Sequence, residues 1–280
     1  MIKKTLIKSY AKINLSLNIL GKYKNNFHKI QSIISFLELH DDIYLKSTNN
    51  KKHIVKFTGE FSKNIKKNTV LKLLKILDNK NLLNKKYKIY IKKNIPQKSG
   101  LGGGSLNAAF ILNFFLKKKI IKLSKKEIFS ICSQIGSDVF LGLERKNSIL
   151  LDRKTIKKYN EKLGLFTVLI KPKLGCSTRE IYKRVDNYSK KKIKLSKNVF
   201  NISYLKYAKN DLEVPAFKLY PKLSKIKIFL SKINNVKFVR MTGSGSVIVA
   251  YFSNKKSAIN GFNLVKKNFK NYWSILSKTI

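Results

Sequence analysis

The sequence predicts an α+β protein built as two lobes, with a boundary near residues 150–165. Strands that alternate apolar and polar residues occur toward both ends of the chain, and segments with helical periodicity lie between them. The pattern weakens from about residue 146 to residue 165. At 280 residues the chain is long enough for two modest domains. We therefore expect domains at residues 1–155 and 156–280.

The first half of the chain predicts long strands followed by helices. Period-two alternation marks three strands, which are TLIKSYAKINLSLNIL, IQSIISFLELHDDIYLKS and KYKIYIKKNI. Helical periodicity marks three segments, which are NTVLKLLKILDNKN, SLNAAFILNFFLKKK and SKKEIFSICSQIG. Asn68 is the predicted N-cap of the first helix, and Ser124 with Glu127 forms a capping box at the third.

The second half predicts a similar mixture. The expected strands are SILL, LFTVLIKPK, VKFVRMT, VIVAYF and a closing strand at the end of the chain. The expected helices are STREIYKRVDNY, PKLSKIKIFLSKI and KKSAINGFNLVKKNF, the first with a capping box and the second with proline in its first turn. SKKKIKLSKN is predicted as an exposed loop, and NDLE (Asn210 to Glu213) as an architectural helix start.

The formal charge of +47 raises the question of a nucleic-acid-binding protein. Only five of the 61 basic residues are arginine, and the lysines are spread along nearly every segment. Specific readers of DNA and RNA favour clustered arginine, because its fork binds bidentately. The pattern therefore favours solvated lysine faces, and no specific nucleic-acid partner is expected.

The chain carries no sequence signal for a membrane or for an oxidising compartment. Lysines interrupt every apolar run before it reaches the roughly 18 residues of a membrane span. The two cysteines, Cys132 and Cys176, form neither a disulfide framework nor a metal-site spacing. A cytoplasmic protein without membrane partners is the expectation.

The run IPQKSGLGGGSLNAAF at residues 95–110 places four glycines between a strand and an apolar helix. Such an arrangement is typical of phosphate binding, since bare backbone N–H groups and the helix N-terminus point at one anion. The run lacks the terminal Gly-Lys-Ser/Thr of a P-loop. It also lacks the final glycine and the later acidic residue of a dinucleotide fingerprint. We expect a different class of phosphate loop.

IPQKSGLGGGSLNAA resembles the phosphate loop of the GHMP small-molecule kinases, a family named for galactokinase, homoserine, mevalonate and phosphomevalonate kinases. The resemblance covers most of the chain through further motifs in order, which are AKINLSLNILGKYKNNFHKIQSI, IGSDV, STREIY, NDLE and MTGSGSVIVAYF. It implies a two-lobed GHMP kinase fold. In that fold an N-terminal domain with a left-handed β-α-β crossover carries the ATP phosphate loop, and the C-terminal domain is ferredoxin-like.

The resemblance implies ATP-dependent phosphorylation of the C2 hydroxyl of 4-diphosphocytidyl-2-C-methyl-D-erythritol, in the non-mevalonate route to isoprenoid precursors. Asp138 in IGSDV matches the family's catalytic aspartate, which accepts the proton of the substrate hydroxyl. Lys12 in AKINL matches the lysine that pairs with that aspartate and faces the transferred phosphoryl group. Asn14, two residues on, is expected on the same face of the strand. Read without the family, Asp138 is also a plausible helix N-cap, and Lys12 one more solvated lysine.

The expected substrate site follows from the same resemblance. His28 matches the histidine that recognises the cytosine ring, and Phe27 stands where the family commonly has tyrosine. Tyr182 matches an aromatic residue that stacks on the other face of the cytosine, with Thr178 one helical turn earlier. By residue type alone, a structural role is favoured for His28, and ordinary packing is as plausible as stacking for Tyr182. The turn TGSGS, with Gly243 and Gly245, is expected to face the phosphate loop, although a simple hairpin is the alternative from sequence.

The expected nucleotide site centres on the glycine run. The residues implied are Lys93 and, more weakly, Asn68 near the adenosine part, and, around the phosphates, Pro96, Gln97, Lys98, Ser99, Gly100, Leu101, Gly102, Gly103, Gly104, Ser105 and Leu106. Ser105 is the candidate ligand of a magnesium ion that accompanies ATP.

Three features depart from the family pattern. Lys98 and Ser99 stand where small residues are usual, Leu106 replaces a second serine, and DVFLGL lacks the proline that normally follows Asp-Val. Lys98 has the length to reach a phosphate. These departures concern the geometry of the loop rather than the class of reaction.

Three other functions compete with this expectation. A different GHMP kinase, such as homoserine kinase, has no cytosine to bind, so NFH and STREIY argue against it. A basic nucleic-acid-binding protein with a ferredoxin-like sheet would carry aromatic RNA-stacking motifs and clustered arginine, and neither is found. A non-catalytic homologue is disfavoured by the presence of Lys12, Asp138 and the loop. The sequence leaves open whether the enzyme is a monomer or a homodimer.

Overall fold

The computed structural model describes residues 5–63, 65, 68–152 and 155–280. As far as these ranges reach, the chain divides into two compact units. The first holds Met1–Ala11, Leu39–Gln97 and Gly102–Arg145, and the second holds Lys12–Glu38, Lys98–Leu101 and Lys146–Ile280. Each unit therefore draws on separate stretches of sequence. The division at residue 155 that the sequence predicts remains a prediction, because each compact unit combines three separate stretches of the chain.

Two long strands belong partly to each unit. Strand β1 spans Thr5–Lys22 and pairs with β2, which spans His28–Thr48. Their apolar side chains are largely buried, as period-two alternation of β-branched residues predicts. Both predicted strands are confirmed.

The first unit combines two further strands with three helices. Strand β3 (Ile54–Thr58) runs parallel to β4 (Lys86–Lys92), and helix α1 (Thr69–Asn79) connects them as a β-α-β crossover. Strand β4 also pairs antiparallel with the second half of β2, from Asp42 opposite Lys92 to Thr48 opposite Lys86. Helices α2 (Gly103–Lys117) and α3 (Lys125–Ile135) complete the unit, and their apolar residues share one core with those of α1 and β4.

The helix starts of this unit follow local side-chain chemistry. The Oδ1 atom of Asn68 accepts from the backbone N of Leu71 and caps α1. Ser124 and Glu127 form the complete predicted capping box at α3. Helix α2 begins at Gly103, two residues before the sequence pattern placed it, so its first turn includes two of the glycines.

The second unit contains the predicted ferredoxin-like arrangement. Its strands are β5 (Asn147–Leu150), β6 (Ile156–Tyr159), β7 (Phe166–Lys171), β8 (Phe238–Met241), β9 (Ile248–Phe252) and β10 (Trp273–Lys278). Four of them form an antiparallel sheet in the order β10-β7-β9-β8, and β5 and β6 extend from the first half of β2. The helices are α4 (Thr178–Lys183), α5 (Ile202–Tyr207), α6 (Glu213–Leu219), α7 (Pro221–Ser231) and α8 (Lys255–Asn268).

The core of this unit lies between the four-stranded sheet and its helices. The α+β class is thus confirmed. None of the helices in the described ranges combines the length and the apolar composition that a membrane-crossing segment needs.

Candidate active site

The glycine loop has the backbone shape of an anion site. Lys98, Gly100 and Gly102 have positive φ angles of 48°, 79° and 75°, and the residues between them do not. Such alternation of backbone handedness turns successive N–H groups toward one concavity. Within the described residues no side chain caps helix α2, whose N-cap is Gly102. Its first N–H groups are therefore available to a ligand, and the loop fits phosphate.

Gly100 is required by a close approach as well as by its positive φ. A Cβ atom on Gly100 would lie 2.1 Å from the carbonyl oxygen of Thr242. Thr242 begins the second glycine turn, residues 242–246, in which Gly243 and Gly245 also have positive φ angles. The backbone N of Val247 donates to the carbonyl of Ser99. TGSGS therefore faces residues 98–101 of the phosphate loop, and it is also the loop of the β8–β9 hairpin.

Lys12 and Asn14 lie on β1 beside the same loop. The backbone N of Lys12 donates to the carbonyl of Leu101 over 3.1 Å. Lys12 is only 5% exposed, and its Nζ donates to Asn14 Oδ1 over 2.6 Å. Asn14 Nδ2 donates to Ser32 Oγ over 2.8 Å, and that hydroxyl donates in turn to the carbonyl of Ser16. Ser32 thus orients the amide of Asn14 so that its oxygen faces the Lys12 ammonium.

Asp138 lies in the first unit, in the turn that follows α3, and its side chain is half-buried. The turn is held by the backbone N of Val139, which donates to the carbonyl of Gly136. A Cβ atom on Gly136 would lie 3.1 Å from Ser105 Oγ. The turn that carries Asp138 therefore approaches the first turn of α2, where Ser105 lies. Asp138 is not a helix N-cap, because the residues after it form a turn and a short 3₁₀ segment, Leu141–Leu143.

The structure brings His28 and Tyr182 together. His28 is the first residue of β2 and Tyr182 lies on α4, and their ring centroids are 5.0 Å apart. Burial and the nearby Lys22 lower the pKa of His28, which favours its neutral imidazole. Its Nε2 atom is buried and has no hydrogen-bond partner within the described part of the chain. An unsatisfied buried nitrogen of this kind is suited to a polar ligand.

The other predicted substrate residues surround this pair or the second glycine turn. Phe27 is 56% exposed, and its backbone carbonyl accepts from the N of Tyr23, which closes the turn before β2. Thr178 Oγ1 and Ser244 Oγ share a hydrogen bond of 2.7 Å. STREIY and TGSGS are therefore directly linked. A Cβ atom on Gly243 would lie 3.5 Å from Asn14 Oδ1, so the turn also reaches the Lys12–Asn14 pair.

Four residues predicted to bind ATP use their polar groups for the protein itself. Asn68 caps α1, and Gln97 Nε2 donates to the carbonyls of Phe61 and Lys63. The Lys93 ammonium lies buried in an ion pair with Asp41. Leu106 is fully buried, and its backbone N donates to the carbonyl of Gly102.

The expectation that Leu106 lines the nucleotide site stays a prediction, although its side chain offers no polar group to a nucleotide. Its side chain instead packs against Gly142, where a Cβ atom would lie 2.6 Å from Leu106 Cδ2. The position of the second serine has become a core position.

The remaining loop residues differ in what they present. Pro96 is buried, and Ser99 is buried with its Oγ accepting from the backbone N of Leu101. The carbonyl of Gly104 accepts a hydrogen bond from Thr69 Oγ1. Lys98 is exposed, and its aliphatic chain lies over Gly175, where a Cβ atom would meet Lys98 Cδ at 3.1 Å.

Sequence reasoning missed Asp41. It also missed Ser32 and Thr242, which each form a hydrogen bond with Asn14. Asp41 is fully buried and accepts from the Lys93 ammonium and from the backbone N of Asn94 and Ile95. These are the residues that enter the glycine loop. The available signal was an aspartate pair, HDD, within a strand of a chain that holds only 14 acidic residues. Serine and threonine are too common to have been singled out.

Comparison with known proteins places this geometry in a family. The sequence model "GHMP kinases N terminal domain" matches residues 68–144, which include the glycine loop and Asp138. The 4-diphosphocytidyl-2-C-methyl-D-erythritol kinase of Pelagibacter ubique (strain HTCC1062) is 51% identical over 277 residues, which cover 98% of each chain.

Solved structures agree on the fold. A crystal structure of 4-(cytidine 5'-diphospho)-2C-methyl-D-erythritol kinase superposes with a TM-score of 0.79 at 19% identity, over 98% of this chain and 99% of that chain. Homoserine kinase from Cytophaga hutchinsonii ATCC 33406 gives 0.66 at 16% identity, over 98% and 94%. Kinases of different substrates thus share this fold, and the family of this chain is shown by the 51% identity with its sequence relative. The chain belongs to the family of 4-diphosphocytidyl-2-C-methyl-D-erythritol kinases and is an ATP-dependent small-molecule kinase.

Proposed function

We propose that this enzyme transfers the γ-phosphoryl group of ATP to the C2 hydroxyl of 4-diphosphocytidyl-2-C-methyl-D-erythritol, giving the 2-phosphate and ADP in the non-mevalonate route to isoprenoid precursors. The observation that carries this proposal is the meeting of three segments in the second unit. The buried Lys12–Asn14 pair, residues 98–101 of the glycine loop and the turn 242–246 are joined by direct contacts. The activity named for the close relative supports the choice of substrate.

The nucleotide phosphates are proposed to bind the glycine loop. Backbone N–H groups from Ser99 to Ser105 and the positive end of α2 supply the attraction. Lys93, Gln97 and Asn68 are proposed to shape the site through the protein contacts described above, and Leu106 through its buried side chain at the start of α2. Lys98 is retained as a candidate phosphate contact, because its exposed chain begins within the loop.

The chemical step is proposed to use Asp138 and Lys12. Asp138 takes the proton from the C2 hydroxyl, and the oxygen then attacks the γ-phosphorus. A new O–P bond forms as the bond between the γ-phosphorus and the β,γ-bridging oxygen breaks, and that electron pair leaves with ADP. Lys12 stabilises the charge on the equatorial phosphoryl oxygens, and Asn14 keeps its ammonium in place over a 2.6 Å hydrogen bond.

A magnesium ion is proposed to accompany ATP. Among the described residues no three His, Cys, Asp or Glu side chains form a group able to hold a metal. The donor set of the loop fits magnesium bound mainly through nucleotide phosphates, with the Ser105 hydroxyl at the start of α2 as a hard oxygen ligand. The ion would neutralise phosphate charge.

The cytosine ring is proposed to bind at Phe27, His28 and Tyr182. Aromatic faces stack on bases, and the unsatisfied Nε2 of His28 hydrogen-bonds the polar edge of the ring. Thr178 holds the neighbouring turn through Ser244, and Gly243 and Gly245 allow the backbone to approach the substrate. A cytoplasmic enzyme, as a monomer or a homodimer, remains our prediction.

The assay that tests the function supplies purified enzyme with ATP, magnesium and 4-diphosphocytidyl-2-C-methyl-D-erythritol, and follows ADP release. We expect turnover with this substrate and none with homoserine or mevalonate. Turnover of homoserine or mevalonate instead, without turnover of the cytidyl compound, would overturn the proposed substrate while leaving the kinase class intact.

Tyr182→Ala is expected to raise the KM for the cytidyl substrate by about 5- to 160-fold, because base stacking on an aromatic ring contributes about 1–3 kcal/mol. The KM for ATP should stay within about twofold of the wild-type value, as expected for a residue that contacts only the other substrate. Initial-rate kinetics with each substrate varied in turn measure both constants. Tyr207→Ala is the matched control, since Tyr207 is 78% exposed in the same unit. Equal increases in both KM values for Tyr182→Ala would remove Tyr182 from the cytosine site.

A further inference from the structure

The second glycine turn is held by a side chain outside the machinery described so far. The turn, residues 242–246, joins β8 to β9 and makes few hydrogen bonds of its own. The backbone N of Gly245 donates to the carbonyl of Thr242, and the N of Thr242 donates to the carbonyl of Val247. Positive φ at Gly243 and Gly245 gives this backbone access to other shapes. Its observed shape therefore depends on external contacts.

The amide of Asn210 supplies those contacts from one side. Its Nδ2 atom donates to the carbonyls of Met241 and Gly243, each over 2.8 Å, and its Oδ1 accepts from the backbone N of Leu212. The residue is 2% exposed. With both N–H groups and the oxygen engaged, the amide has a single orientation that satisfies all of its partners.

Asn210 is itself fixed to the strand that carries Lys12. The backbone N of Leu17 on β1 donates to the carbonyl of Lys209, and the N of Asp211 donates to the carbonyl of Leu17, both over 2.9 Å. The Asp211 carboxylate accepts from the backbone N of Ile19. The NDLE segment is therefore hydrogen-bonded to β1 on both sides of Asn210, in addition to beginning a helix.

The opposite side of the turn touches the residues proposed for catalysis and phosphate binding. Thr242 Oγ1 accepts from the backbone N of Asn14 over 3.0 Å, and the Thr242 carbonyl fills the space beside Gly100. The backbone N and the hydroxyl of Ser246 both lie within hydrogen-bond distance of the Lys98 carbonyl. A shift of the turn would move Asn14 and residues 98–101 with it.

We propose that Asn210 is a positioning residue of this kinase, which fixes the turn 242–246 and through it the Lys12–Asn14 pair and residues 98–101 of the glycine loop. The inference rests on the proposed function for its catalytic consequence, although the structural effect stands apart from it. Misplacement of reacting groups by about 1 Å typically lowers rates by about 100-fold. Asn210, which contacts no substrate, therefore affects the rate of phosphoryl transfer through the position of the turn.

The test compares Asn210→Ala with Asn147→Ala. Asn147 is also buried in the second unit and also donates from Nδ2 to a backbone carbonyl, that of Glu161, but it does not contact the turn. At a temperature where circular dichroism shows both variants folded, we expect Asn210→Ala to lower kcat/KM for the cytidyl substrate by about 10- to 100-fold. Asn147→Ala should remain within about threefold of wild type. If Asn210→Ala does not fold, Asn210→Ser, which retains one hydroxyl donor, takes its place in both measurements.

A second readout does not depend on the reaction. The chain has 13 glycines, so ¹⁵N-glycine labelling gives a sparse amide spectrum. The resonances of Gly100, Gly243 and Gly245 should shift in Asn210→Ala and stay in place in Asn147→Ala. Unmoved resonances, wild-type kcat/KM in Asn210→Ala or an equal loss in Asn147→Ala would each overturn the inference. If the wild-type enzyme does not turn over the cytidyl substrate, the proposed function fails, whereas the glycine spectrum still decides the positioning role.

Discussion

Asp138→Asn is expected to lower kcat by about 10²- to 10⁴-fold, the usual contribution of a general base. The amide keeps the size and shape of the carboxyl group but cannot accept the proton of the substrate hydroxyl. Binding of ATP, measured by titration calorimetry with a non-hydrolysable analogue, should remain close to wild type, because the phosphates are held by the backbone of the glycine loop and by the N-terminus of α2. Steady-state ADP release measures the fall in kcat.

Asp186→Asn provides the control for this experiment. Asp186 is an exposed carboxylate in the second unit that accepts from Asn187 Nδ2 and contacts none of the proposed site residues. Its kcat should be unchanged. Wild-type kcat in Asp138→Asn would remove Asp138 from the role of base, and loss of ATP-analogue binding in that variant would show that the substitution damages the loop rather than the proton transfer.

Asp41→Ala is expected to destabilise the enzyme by about 3–5 kcal/mol, the usual cost of leaving a buried charge without its partner. Asp41 is fully buried and Lys93 is 4% exposed, so the Lys93 ammonium would lose its counter-charge away from water. Two backbone N–H groups, of Asn94 and Ile95, would lose their acceptor as well. Urea unfolding followed by circular dichroism measures the loss.

Two further variants separate the ion pair from a general effect of mutation. The double variant Asp41→Leu with Lys93→Met removes both charges, and we expect it to be more stable than Asp41→Ala. Glu180→Gln breaks an exposed pair with Arg184 and should leave the unfolding midpoint unchanged. Equal stability of Asp41→Ala and wild type would contradict the buried ion pair.

Local signals in the sequence predicted the secondary structure well where side chains act on nearby backbone. Asn68 and Ser124 each accept from a backbone N–H three residues later, so the cap and its partner are visible in one short window. The start of α2 was predicted two residues too late, because glycine disfavours a helix. Gly103 and Gly104 lie in the first turn beside Ile95 and Thr69, and these tertiary contacts are not visible in the local sequence.

The predicted site was only partly readable. Lys12, Asn14, Gly100, Gly243, His28 and Tyr182 were named from motifs, and the structure brings Lys12 to Asn14, Gly100 to the second glycine turn and His28 to Tyr182. The role of Leu106 stays a prediction, and its apolar side chain packs into the core beside Gly142. For the remaining site residues the assigned roles are predictions that the variants above test.

What the sequence by itself determined is the class of the fold, the order of most of its elements, the phosphate loop and the family. These depend on periodicity, on caps and on runs of glycine, all of which are read within a few residues. The partners of the buried polar groups were decided only by tertiary structure. Asp41 lies 52 residues from Lys93, Asn210 lies 31 from Met241, and Asn14 lies 228 from Thr242. With 61 basic and 14 acidic residues, composition allows many pairings, and only the packed chain selects the one that satisfies each buried group.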